Sequence, residues 1–511
     1  MSNLSELIPA GGGQNNTDFV ASGAITSGKP VILNSAGTVT QVGFATTAES
    51  IPAGAENTTS SSYADGPGMA VDPTTGNAVA AYKDWDNSGY GYVVVGVVSG
   101  TTLTWGTPIV FESTELRTTP LQVAFDPNTA GSFVIVFQLS STLVQTVIAN
   151  TLSGSTLGSF GTAVAFQTTY AANSSSASNK LGFDPNTAGK FALTNVLIAP
   201  SPGDSGVVIG TVSGTTVAFA GSAENWDTSD DYPYSNVVWN PNVANEIVVS
   251  YIKVGWWAKV VKGTVSGTTV SWGTPSTVNS GHSDYFNLDF DPNTANSFAW
   301  AFFNGGTGLG ASGAGTLVGS TWTFGSNQTV PTGGSGTTFT IKFDPNQAGK
   351  LAVINRGSNG VNFVGSCTAG SVSGTTLTWG SANELTANGD IGGGQQPVAL
   401  SFSATDTGKF VSVYALGTAG GNELGGVVCQ LEASITNLTA TNLLGISSAA
   451  ILDTATGTIN TWGSRNEVQT SLTIGSDYYV QTDGTITTSS SGQLIGQAIT
   501  ATQINIKDYT G

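Results

Sequence analysis

FDPNTAGKF, residues 183–191, is the stretch whose reading decides the fold. It recurs as FDPNTAGSF at 125–133, FDPNTANSF at 290–298 and FDPNQAGKL at 343–351. Looser copies read VDPTTGNAV at 71–79, WNPNVANEI at 239–247 and FSATDTGKF at 402–410. Aligning Asp72, Asp126, Asp184, Asn240, Asp291, Asp344 and Ser403 gives steps of 54, 58, 56, 51, 53 and 59 residues. A near-constant period of this length marks a repeated supersecondary unit. Within each copy an apolar run enters, Asp-Pro starts a turn, Gly or Asn supplies a residue able to take φ > 0, and a second apolar run leaves. That is a hairpin.

A second motif follows each hairpin. It reads VSGTTLTWGTP from Val98, VSGTTVAFAGS from Val212, VSGTTVSWGTP from Val265 and VSGTTLTWGSA from Val372, with weaker forms from Leu152 and Val318. Ser-Gly-Thr-Thr is a tight turn between a third and a fourth strand. Seven four-stranded meanders predict an all-β protein, a seven-bladed β-propeller over 58–435. A β-solenoid is the alternative, although its repeats are usually shorter than about 30 residues. The flanks, 1–57 and 436–511, are expected to combine into one small β-sandwich or barrel-like domain holding both termini. Its hairpin signal is Asp483-Gly484. The seventh repeat lacks the SGTT motif, and two segments compete to complete it: 35–43 and 434–440.

Composition narrows the function. Fourteen Lys+Arg against 32 Asp+Glu argues against nucleic-acid partners and anionic membrane surfaces. No apolar run is long enough for a membrane span, and the start of the chain lacks a signal-peptide pattern. Cys367 and Cys429 are expected as buried free thiols. No metal or cofactor motif is present, so no cofactor is expected.

The flanking segments DFVASGAITSGKPVILNSAGTV (18–39), LLGISSAAILDTATGTINTWG (443–463), SLTIGSDYYVQTDGTITT (471–488) and IGQAITATQINI (495–506) resemble a β-domain of tailed-bacteriophage virion proteins. The VSGTTVSWGTP repeats resemble propeller arrays of phage tail-fibre-like proteins. The resemblance implies a tail- or head-fibre-like component exposed on the virion. Its partners would be other virion proteins, host surface polysaccharide and further copies of itself. A capsid decoration protein and a glycan-cleaving propeller are the alternatives.

In a four-stranded meander, turns 1–2 and 3–4 share one face, and turns 2–3 share the other with the connections between units. The first class is nearly uniform here and the second varies. Aromatic and acidic residues gather in the variable class, where loops on a rigid scaffold carry binding. Trp85, Tyr92, Trp226, Asp227, Tyr232, Trp256 and Trp257 are therefore the glycan-binding candidates, aromatic planes for C–H faces and acids for hydroxyls. The acidic run 227–231 lacks an EF-hand spacing and reads as a solvated loop. Trp105, Trp272 and Trp379 of the SGTT-x-x-W motif read as edge packing. They lack the carboxylate of the sialidase Asp-box. No catalytic residue is assigned. His282, the lone histidine, sits in SGHSD at 280–284, where close sequence neighbours seldom achieve triad geometry. A two-carboxylate hydrolase stays open from sequence.

Overall fold

The computed structural model describes residues 15–43, 51, 54–59, 63–117, 121–142, 144–167, 181–195, 205–227, 235–253, 255–331, 335–358, 363–385, 390–391, 399–418, 421–431, 437–439, 441–482 and 484–507. Among them there is no helix. The chain divides into two compact units, one of residues 48–432 and one that pairs 1–47 with 433–511.

The larger unit holds seven antiparallel sheets of the described residues, numbered here in chain order. Sheet 1 shows the pattern. Ala64–Val71, Ala78–Asp84, Tyr90–Ser99 and Thr102–Trp105 form a meander. The chain then bends and resumes as Ile109–Glu112 beside the third strand. Second strands are buried over most of their described length, and Ser132–Gln138 over all of it, which is why they read as largely apolar runs. Consecutive first strands touch in the order of the sheets, and the first strand of sheet 7, Ala399–Phe402, returns to Ala64–Val71 of sheet 1. The arrangement is propeller-like. First strands from all seven sheets line one cavity of about 430 Å³, with Pro73, Pro127, Pro185, Pro241 and Pro292 also in its wall.

The repeated turn works as a staple between sheets as well as a turn. Asp291 is fully buried. Its Oδ1 accepts the Asn293 amide (2.8 Å) and its Oδ2 accepts the Gly349 amide of the next sheet (2.7 Å). Asn293 Nδ2 donates onward to the Asp344 carbonyl (3.1 Å). Asp126 and Asn128 do the same toward Gly189 and Asp184, and Asp344 and Asn346 toward Gly408 and Ser403. A buried carboxylate is tolerable only with such donors around it. Gly189 has φ +71° and no room for a side chain, since a Cβ would lie 2.3 Å from the Val212 carbonyl oxygen. Asn245 and Asn296 take the corresponding left-handed backbone in sheets 4 and 5.

Sheet 7 closes differently from both sequence expectations. Its fourth strand is Asn57–Thr58, paired to Gly425 and Gly426 of Gly421–Gln430. Strand 39–41 belongs instead to the other unit, as do the described residues 437–439. The reason is side-chain fit: Asn57 Nδ2 donates to the Leu103 carbonyl (2.7 Å) and Trp105 Nε1 donates back to the Asn57 carbonyl (3.2 Å). The described residues 51 and 54–57 thus belong with the sheets, not with the N-terminal flank. Trp105, Trp272 and Trp379 each cross-pair with a glycine, Gly96, Gly263 and Gly370. A Cβ on any of the three would meet the indole within 2.8 Å. Their ring nitrogens reach carbonyl or hydroxyl oxygens of the preceding sheet, so these aromatics are packing between sheets.

The smaller unit has two five-stranded antiparallel sheets. In the first, Asn16–Val20 pairs with Thr456–Thr461 and Pro30–Leu33 with Leu443–Ser447, so the two ends of the chain share one sheet. The second contains a hairpin in which Val480 faces Ile486 and Gly484 has φ +79°; Asp483 of the expected turn lies outside the described residues. Cys367 and Cys429 are free and fully buried in one core with Phe410 and Tyr414 of the larger unit. Burial pushes both thiols up, Cys429 to about 12.

Candidate saccharide-binding turns

The candidates from sequence separate once the strands are placed. Trp226 is a correction. It lies on Glu224–Asp227, the last strand of sheet 3, and is 5% exposed. Its ring packs against Tyr251 (5.9 Å) and Trp272 (6.1 Å), closing the seam to sheet 4. Tyr92 also leaves the loops. It sits in the third strand of sheet 1, half-buried and stacked on Tyr82 at 6.0 Å. Burial, then the charge of Asp84 and the ring of Tyr90, raises its phenol pKa. Asp227 is the last residue of its strand, and Tyr232 lies outside the described residues. So does most of the acidic run 227–231. Among the described residues no cluster of three or more His, Cys, Asp or Glu side chains could hold a metal ion.

Trp85, Trp256 and Trp257 are exposed at 43, 47 and 43%. The first two occupy turns 2–3, of sheets 1 and 4, and Trp257 opens the third strand of sheet 4. The turn of sheet 4 is the more unusual. Glycine precedes Trp256, at φ +92°, and Trp256 itself has φ +67°. A bulky residue in left-handed backbone is an outlier whose cost must be held by neighbouring structure. Here its amide donates to the Lys253 carbonyl (2.8 Å) and its carbonyl accepts the Ser283 amide at the entry to sheet 5 (2.8 Å). Its indole lies 4.7 Å from the His282 ring.

His282 is fixed from two other sides. Its Nε2 is 3.2 Å from Asp284 Oδ2. Its ring covers Gly305, where a Cβ would come within 2.4 Å of Nδ1. Asp284 Oδ1 is buried with no hydrogen-bond partner among the described residues. Burial accordingly raises the Asp284 carboxyl pKa, and His282 opposes that rise. The site is thus the exposed Trp256 indole beside a half-exposed imidazole that a carboxylate orients, with the exposed Trp257 next in the chain and the Lys259 ammonium 5.9 Å from its ring. Sequence reasoning found Trp256, Trp257 and His282 separately. It did not join them, because turn 253–257 and segment 280–284 belong to different repeats and meet only across the seam of sheets 4 and 5.

Comparison with protein-family models finds no match, and comparison with curated proteins finds none either. Solved structures do match. A lectin from Burkholderia pseudomallei is similar at TM-score 0.52 and 10% identity, over 73% of this chain and 99% of its own. The periplasmic gluconolactonase of Pseudomonas aeruginosa matches at TM-score 0.45 and 12% identity, over 73% of this chain and 98% of its own. A fucose-specific lectin from Aleuria aurantia matches at TM-score 0.40 and 10% identity, over 65% of this chain and 99% of its own. Of these three the first bears on the fold, and at its identity on the fold alone. It agrees with the propeller-like array of sheets.

Proposed function

We propose that this chain is a seven-bladed β-propeller, set between the two halves of a terminal β-domain, and that it binds a cell-surface saccharide through the Trp256–Trp257 turn. One observation carries the reading: Trp256 is half exposed in strained backbone and clamped against His282 and the entry of sheet 5. Exposing an indole gains no burial, and left-handed backbone costs stability. The arrangement is costly for the fold and makes sense as a preformed platform. A pyranose can lay its C–H face on the indole while imidazole and turn backbone meet its hydroxyls. The lectin among the matching structures is in keeping with this use of the fold.

The reading is of a binding protein, not a hydrolase. The resemblance of the terminal segments to virion domains supports a place on a phage particle, docked through the terminal domain. Gold-labelled antibody on intact particles tests that placement, and absence of label from every virion structure rejects it. For binding, the purified protein is passed over immobilised surface polysaccharides. Retention lost in Trp256→Ala, at unchanged melting temperature, is the expected result. Equal retention of the variant, or release of saccharide fragments, overturns the reading.

A further inference from the structure

Trp85 is also exposed, and the residues around it are built to hold it still. Its indole Nε1 donates to Asp65 Oδ2 at 2.9 Å, and Asp65 is buried. The Lys83 ammonium lies 3.4 Å from the ring centroid. Lys83 is itself only 1% exposed, an uncommon state for an ammonium, and pairs with Glu115 at 3.3 Å. Gly89, at φ +70°, leaves no room for a side chain above it: a Cβ would sit 2.7 Å from Lys83 Cε. The Trp85 amide donates to the carbonyl of Tyr63, a second exposed ring (37%). The turn between is pinned by Asp84, which accepts from the Asp86 amide (3.0 Å) and from Asn87 Nδ2 (2.7 Å).

This is expensive for the fold and gives little in return. Burying an ammonium costs several kcal/mol before its partners are counted, and the ring it supports stays in solvent. With the N–H committed and one face over a cation, the opposite face is the one a ligand can reach. The ring is locked in advance, so binding there loses little side-chain entropy.

We infer that Trp85 and Tyr63 form a second saccharide subsite, distinct from the Trp256–Trp257 turn; the inference rests on the proposed saccharide-binding reading. Sheets 2 and 3 separate the two turns one way round the array and sheets 5, 6 and 7 the other, so one sugar residue cannot span both. Their surroundings differ as well: a buried ammonium lies 3.4 Å from the Trp85 ring, whereas the other turn has an imidazole beside Trp256 and the Lys259 ammonium 5.9 Å from Trp257. A polysaccharide with repeating units can engage both, and the second contact is then intramolecular, with avidity on the order of 10² to 10⁴ over either alone.

The test uses the full chain labelled with 5-fluorotryptophan, with fluorine resonances assigned by single Trp→Phe replacements. The probes are methyl pyranosides of glucose, galactose, mannose, fucose and N-acetylglucosamine. The expected result is that one or more probes shift the Trp85 resonance and the Trp256 and Trp257 resonances along separate saturation curves. The Trp85 curve should stay within about twofold in Trp256→Ala, as for independent sites. A saturating shift of Trp256 and Trp257 with Trp85 unmoved overturns the second subsite and leaves the proposed function standing. Loss of the Trp85 response in Trp256→Ala overturns it too, since the two would then be one site. No movement of any of the three with any probe overturns both readings.

Discussion

Trp226 and Trp256 stand on adjacent sheets, and their surroundings in sequence would rank them the wrong way round. Trp226 is flanked by Asn225 and Asp227 in a polar, acidic stretch, whereas Trp256 lies between Gly255 and a second tryptophan. Yet Trp226 is core and Trp256 is in solvent. Whether a side chain is buried is settled by the strand it sits on and the sheet that strand faces, not by the polarity of its sequence neighbours. Glu224–Asp227 pairs beside Ser205–Ser213, which aims Trp226 at Tyr251 and Trp272 of the next sheet. Trp256 lies in the turn after Glu246–Lys253, outside the ladder among the described residues, and its ring stays in solvent.

The sharpest break of this comparison is Trp226→Ala. A core tryptophan lost to a cavity costs about 3–5 kcal/mol, so the denaturation midpoint should fall steeply while saccharide binding at Trp256 persists in the fraction that folds. A midpoint equal to wild type would return Trp226 to the surface. Next is Asp291→Ala, which strands the buried Gly349 amide and removes the acceptor of the part-buried Asn293 amide. About 3 kcal/mol is expected, read by the same denaturation series. A loss no larger than that of an exposed substitution would mean the staple between sheets 5 and 6 carries no stability.

Trp256→Ala should reverse the Trp226 pattern. Binding to surface polysaccharide weakens by about 1–3 kcal/mol if the ring is a central anchor, with stability within about 0.5 kcal/mol of wild type. The smallest effect concerns Asp284. Its pKa in the folded chain lies above the unfolded value, so ionising it costs stability at neutral pH, and the cost fades as pH falls through the folded value. Asp284→Asn should therefore melt slightly higher than wild type at pH 7 and level with it in acid. A variant that melts lower at pH 7 would show that the His282 contact outweighs the burial.

Much of this was legible in the residues. The Asp-Pro-Asn period set the number of repeat units and the hairpins, and SGTT located the third and fourth strands. The role of the Asp-Pro-Asn turn in joining sheets was not legible, because Asp126 and Gly189 are acceptor and donor across 63 residues and no local pattern announces such a pair. Ring closure was misplaced for a related reason. Asn57–Thr58 is two residues long and carries no periodicity, and it is selected by Leu103 and Trp105 rather than by its own composition. Trp85 was found as an aromatic in an acidic turn, but nothing local announces Lys83 beneath it, one residue before the end of the strand Ala78–Asp84. Tyr92 failed in the same way, since strand 3 begins at Tyr90.

The closing strand has a consequence for biosynthesis. Asn57 and Thr58 leave the ribosome before any of the seven sheets, yet their ladder partners are Gly425 and Gly426. The segment can meet Leu103 and Trp105 early, but its ladder partners are missing through most of translation, and sheet 7 gains its fourth strand only when the last repeat has emerged. Pairing across so long a separation is slow, so the interval before closure exposes the edge of Gly421–Gln430 to strands of other nascent chains. A chain truncated before Gly421 would lack the strand that Asn57–Thr58 joins, and pulse-labelled protein of that length should stay protease-sensitive while the full-length product becomes resistant.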